Sequence, residues 1–179
     1  MAKTIKPVLK NQGHSSSMQT PDYALDPLIP FLNKNFPIWE CACGTGNLYY
    51  TLIRRGFKVF KSDILPPYGI DFTKCITTPT EDCVIVTNPP YNIKDKFLQK
   101  AYELGKPFAF LLPIESLGGA RRQEMYRKYG LEVILFPFRV NFETPNGGSS
   151  AWFPVGWFTW GFNIGRPLTF VEDTRHEVS

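Results

Sequence analysis

The sequence predicts an α/β protein built on a doubly wound, mostly parallel sheet. Three observations carry that prediction. Short apolar runs alternate with segments of helical period along most of the chain. The first of these runs enters a Gly-x-Gly turn that opens a helix. The length, 179 residues at 43% hydrophobic and 20% charged, suits one domain with a full core.

Residues 1–19 are polar without apolar period and are expected to form a mobile arm. Asp22–Asn33 has helical character, broken by Pro27 and Pro30. Pro37–Cys43 reads as a buried strand that enters Gly44-Thr45-Gly46. Asn47–Arg55 follows as a helix stopped by Gly56. Phe57–Asp63 alternates as a strand does, and Asp82–Thr87 is a short buried strand ending at Asn88. Lys94–Leu104 presents Phe97, Leu98, Ala101 and Leu104 on one helical face. Phe108–Pro113 is the next strand, Gly119–Tyr129 a basic helix, and Leu131–Phe138 another strand. Arg139–Ser150 is a polar glycine-containing loop. Ala151–Gly161 is apolar on both faces, as a covered strand is. The domain is expected over 20–162, with 163–179 a polar tail.

Composition narrows the function. The net charge is +4. Between Lys94 and Lys128, 8 basic residues stand against 4 acidic ones, which accounts for the whole excess. Such a stretch fits a polyanion, although two solvated helix faces explain it as well. Cys41 and Cys43 are spaced C-x-C, and His14 and His176 are the only histidines, so no metal centre is expected. Cys41 and Cys83 fall in apolar runs as small buried hydrophobes, which points to reduced thiols and a cytoplasmic protein. No apolar stretch is long enough for a membrane span.

Two motifs carry chemistry. In Glu40-Cys41-Ala42-Cys43-Gly44-Thr45-Gly46-Asn47, glycines let a ligand approach the backbone. Tyr49 stands where a dinucleotide fingerprint needs its third glycine, while Asp63 sits 17 residues after Gly46, placed to accept from ribose hydroxyls. A nucleoside cofactor without a pyrophosphate fits, and S-adenosylmethionine meets that description. The second motif is Asn88-Pro89-Pro90-Tyr91. The exocyclic amine of adenine is a weak nucleophile because its lone pair is delocalised into the ring. The Asn88 side-chain carbonyl and the Pro89 backbone carbonyl are candidate acceptors for its two N–H groups. Tyr91 is a candidate to stack on the base.

Together these motifs resemble the S-adenosylmethionine-dependent amino methyltransferases. The resemblance is closest to the DNA adenine-N6 group in which the cofactor motif precedes the catalytic one. It implies a Rossmann-like class I methyltransferase sheet of seven strands, with the Ala151–Gly161 strand antiparallel and last. It adds Thr20-Pro21 as an N-terminal cofactor motif and Asp71-Phe72 as an adenine-binding pair, although Asp71 reads equally well as a helix cap. The cofactor set it implies is Thr20, Pro21, Glu40, Cys41, Gly44, Gly46, Asn47, Asp63, Ile64, Asp71 and Phe72, with Glu40 at the methionine end. The substrate candidates are Arg121, Arg122, Arg139, Asn141 and Phe142. The implied reaction is methyl transfer to adenine N6 in nucleic acid, DNA before RNA, with short sequence specificity. RNA adenine, a protein glutamine amide and an inactive binding module are the alternatives. The spacing from Asp63 to Asp82 leaves little room for the usual third strand and its helix. There is no separate target-recognition domain, so a specificity subunit or a second copy of the chain is the expected partner.

Overall fold

The computed structural model describes residues 19–142 and 153–173. The arm therefore lies outside the described residues apart from Gln19, as do 143–150 of the polar loop, the start of the Ala151–Gly161 run with Trp152, and both histidines.

Among the described residues seven strands form one sheet: β1 (Ile38–Glu40), β2 (Val59–Lys61), β3 (Val84–Thr87), β4 (Phe108–Pro113), β5 (Glu132–Leu135), β6 (Val155–Trp160) and β7 (Leu168–Phe170). Their order is β2-β1-β3-β4-β6-β5-β7. β2, β1, β3 and β4 run parallel, and β6 lies antiparallel between β4 and β5. The helices are α1 (Asn47–Arg54), α2 (Lys94–Leu104) and α3 (Ala120–Tyr129).

Both faces of the sheet are covered, so the central strands are apolar throughout. In β4 the side chains alternate between two cores. Ala109 and Leu111 join Leu48 and Leu52 of α1 and the N-terminal Leu25 and Leu28. Phe108, Phe110 and Leu112 join Phe97, Leu98 and Ala101 of α2. Trp157 is fully buried, and its indole N–H donates to the Ala24 carbonyl at 2.7 Å, which makes it core as its apolar strand suggested.

The structure corrects the expected strand inventory at both ends. Among the described residues no strand lies between β2 and β3, only a 3-10 turn at Phe72–Lys74. The antiparallel strand is not the last, because the segment expected as a polar tail supplies β7. Its Leu168-Thr169-Phe170 triplet pairs in parallel with β5. The Glu132 carboxylate holds the preceding turn by accepting from the Ile164 and Gly165 amides at 3.1 and 2.8 Å. β5 is shorter than its apolar run because Pro137 lacks the N–H that a longer ladder needs.

Candidate active site

β1, β2 and β3 are parallel neighbours, so their carboxyl ends meet along one edge of the sheet. From β1 the chain crosses to β2 on one side, while β3 and β4 follow on the other. The crevice at such a reversal is where open α/β sheets bind ligands. Glu40 ends β1, Asp63 follows β2 by two residues, and Asn88 follows β3 directly. All three line a cavity of about 270 Å³.

The glycine turn borders the cavity through Gly44. Gly44 has φ +50° and Gly46 φ +97°, the left-handed region that disfavours side chains. A Cβ on Gly46 would also come within 3.0 Å of the Tyr50 ring. Asp63 fastens this turn: one carboxylate oxygen accepts from the Gly44 amide at 2.8 Å, the other from the Leu65 amide at 2.9 Å. Its sequence-derived place beside the turn is therefore occupied by two backbone bonds of its own.

Glu40 is buried, and one oxygen accepts from the Thr87 hydroxyl and from the Ala42 amide at 3.2 Å. Burial pushes its carboxyl up to about 7, and the neighbouring Asp63 adds to the rise while the two hydrogen bonds oppose it. An unfolded glutamate titrates near 4.5, so between these values the folded chain holds the extra proton. The associated stability is complete below about pH 4.5 and is lost as pH rises through about 7. Glu40→Gln is expected to remove this dependence. In urea melts its midpoint should gain on the parent's from pH 5 to pH 8, and parallel midpoints across that range would contradict the assignment.

Asn88 is held through its nitrogen end. Its Nδ2 donates to the Thr20 hydroxyl oxygen at 3.1 Å, while Oδ1 is buried and has no protein partner. An unpaired acceptor of this kind is costly unless something else satisfies it. Tyr91 does not line the cavity. Its ring meets Phe153 edge-on at 5.7 Å, its hydroxyl has no partner, and burial pushes its pKa up.

The other expected cofactor residues divide. Thr20, Cys41, Ile64, Asp71 and Phe72 line the cavity; Pro21, Gly46 and Asn47 do not. Asp71 is seen as a cap: Oδ1 accepts from the Thr73 amide at 3.0 Å and from its hydroxyl at 2.7 Å. The Thr73 hydroxyl and the Lys74 ammonium hold its carboxyl below the usual range. The sequence reading missed Cys43, Leu48, Ile93 and Phe97 as wall residues. Their apolar character marked them as core, and only the fold shows that they border a cavity.

Among the substrate candidates, Arg121 and Arg139 are exposed. Phe142 is buried in the α1-side core with Val140, so it is removed from the set. The Asn141 amide donates to the Tyr23 hydroxyl at 2.8 Å. Arg122 is committed elsewhere: its Nε donates to the Ser116 and Gly118 carbonyls at 2.9 and 2.8 Å, and its Nη1 meets Asp95 at 2.7 Å. It is a clamp between α2 and α3. Arg122→Ala is expected to cost about 1–3 kcal/mol in a denaturant melt, and Arg121→Ala to stay within about 0.5 kcal/mol. Equal effects would deny the clamp.

No family model matches the sequence, and no curated protein matches it. Solved structures do match the fold. One is the 23S rRNA methyltransferase ErmE, with TM-score 0.60 and 15% identity over 88% of this chain and 73% of that one. The chain has the class I methyltransferase fold. Another match is a modification subunit of a putative type I restriction enzyme from Vibrio vulnificus YJ016, at TM-score 0.55 and 13% identity. That match covers 82% of this chain, which spans 45% of the length of the Vibrio subunit. In this fold the β3-to-α2 connection holds Asn88-Pro89-Pro90-Tyr91, of which Asn88 and Pro90 line the crevice and Pro89 and Tyr91 do not. Among the described residues no helix is long and apolar enough to cross a membrane.

Proposed function

We propose that the chain transfers the methyl group of S-adenosylmethionine to the exocyclic N6 amine of adenine in DNA. The observation that supports this most is the buried, unpartnered Asn88 Oδ1 beside a cavity that the glycine turn borders. An acceptor without a partner here suits an N–H donor from the target.

The residues present fit the cofactor. The cavity lies near the lower end of the ~300–1,000 Å³ usual for small-molecule sites. Glycine at position 44 is favoured by its φ of +50°, while a Cβ there would make only ordinary contact with the Gln19 side chain at 3.4 Å. Ile64, Leu65 and Phe72 offer apolar walls for a purine. Asp63 and Glu40 both line the cavity, and in this reading Asp63 serves the ribose hydroxyls and Glu40 the amino end. When bound, S-adenosylmethionine supplies an electrophilic methyl group on a sulfonium.

The chain's own residues do the rest by positioning and electrostatics. A cation beside Glu40 favours its carboxylate form, so ligand binding near neutral pH releases a proton. Asn88 Oδ1 and the Pro89 carbonyl hold the two N–H groups of the amine and favour its nucleophilic geometry. Two consecutive prolines fix φ and withhold competing donors from this loop. Tyr91, packed on Phe153, backs the loop instead of facing the cavity. In duplex DNA the base must leave the stack, at a cost of a few kcal/mol. Arg121 and Arg139 remain available for phosphates. With ~3–5 phosphate contacts, the log–log salt slope of binding is about −3 to −5.

The test is incubation with labelled cofactor and separate DNA, RNA and protein pools, followed by digestion and mass spectrometry. N6-methyladenine from DNA supports the reading. Label on RNA adenine or on glutamine moves the substrate to that polymer, and no transfer to any pool overturns it.

A further inference from the structure

We infer that Thr20 is a positioning residue, whose hydroxyl fixes the Asn88 amide so that its nitrogen is committed and its carbonyl is left for the target amine. The inference rests on the amine methylation proposed above. It gives Thr20 a role beyond lining a cofactor cavity.

Three observations lead to it. The bond is direct, Asn88 Nδ2 donating to Thr20 Oγ1 at 3.1 Å across 68 positions of sequence. Thr20 is only 4% exposed, so water does not compete freely for its oxygen. The other end of the same amide, Oδ1, is buried with no partner. A planar amide has one donor end and one acceptor end. Engaging the donor end leaves an acceptor where the target amine needs one. A free amide rotates, and for part of the time meets the target's N–H groups with N–H groups of its own.

Thr20 is suited to this because the turn that directly follows it is anchored to both α1 and β6. The Pro21 carbonyl accepts from the Ala24 amide at 3.0 Å and starts the 3-10 turn Asp22–Leu25. Asp22 of that turn accepts from the Thr51 hydroxyl and from Arg54 of α1. Ala24 is tied to β6 by the Trp157 indole. A hydroxyl carried beside so fixed a turn sets the position of what it binds.

The experiment reads the clamp and the reaction separately. Thr20→Val keeps the shape and removes the oxygen; Thr20→Ser restores it. In the parent protein the Asn88 side-chain amide signal, assigned by its loss in Asn88→Ala, should exchange with solvent about tenfold more slowly than in Thr20→Val. In Thr20→Val, kcat should fall by roughly 100-fold with cofactor Kd within twofold, and Thr20→Ser should recover most of the rate. A weakened cofactor Kd with unchanged kcat would make Thr20 a cofactor contact and overturn the inference. So would fast exchange of the Asn88 amide in the parent, a measurement that needs no variant of Thr20. If the parent amide is protected but no pool accepts methyl groups, the clamp stands and the proposed reaction is what fails.

Discussion

Replacing Asn88 by alanine is expected to abolish methyl transfer while leaving cofactor binding nearly intact. The variant loses a buried, unpartnered acceptor on a residue that lines the crevice. Removing a comparable preorganised hydrogen-bonding group at a reacting centre costs about 10²–10³ in kcat. The fold has little reason to suffer, because the Asn88 side chain makes one protein hydrogen bond, to Thr20, whose oxygen can turn to water entering the vacated space. Single-turnover transfer onto the polymer found to accept methyl groups gives the rate, and calorimetric titration with S-adenosylmethionine gives the affinity. A folded variant that has lost most of its affinity would place Asn88 at the cofactor and not at the target amine.

The second large effect is expected at Asp63. Its two oxygens hold the Gly44 and Leu65 amides, both of residues that line the cavity. Asp63→Ala releases both, so the glycine turn and the segment after β2 lose their common tie. Cofactor affinity should fall by about 1.5–3 kcal/mol, the range for a hydrogen bond to a charged group, and the melting midpoint should fall with it. Asp63→Asn keeps one acceptor and should lose less of both. Full affinity in Asp63→Ala would show that neither the turn nor the ribose depends on this carboxylate.

The parts of this molecule that were legible in the sequence are those set by local pattern. The run into Gly44-Thr45-Gly46, the helix after it and the apolar face of α2 each announce themselves within a dozen residues, and the structure has them in place. Asp63 was placed correctly at the end of β2, but its bond to Gly44 joins positions 19 apart and leaves no trace in local pattern. Arg122 stood among the substrate candidates because its partners, Asp95 and the Ser116 and Gly118 carbonyls, come together only when α2 and α3 pack. Phe142 had a signal that went unused: Val140 and Phe142 alternate with Asn141, as an edge running along a core does. β7 was missed because three residues flanked by Pro167 and by Glu172-Asp173 are too few for a period to show.

The place of β6 in the sheet governs the order in which this chain can be assembled. β1 to β4 form a parallel set whose members pair with strands made close to them in time. β4 and β5, in contrast, share no ladder; each pairs with β6, which is synthesised after both. A nascent chain that ends before Val155 therefore exposes one border of β4 and both borders of β5, the kind of surface on which chaperones act and aggregates grow. The same late strand carries Trp157, which latches the turn behind Thr20. The crevice is thus completed from the far end of the chain, and a fragment that stops short of β6 keeps the glycine turn but not the geometry around Asn88.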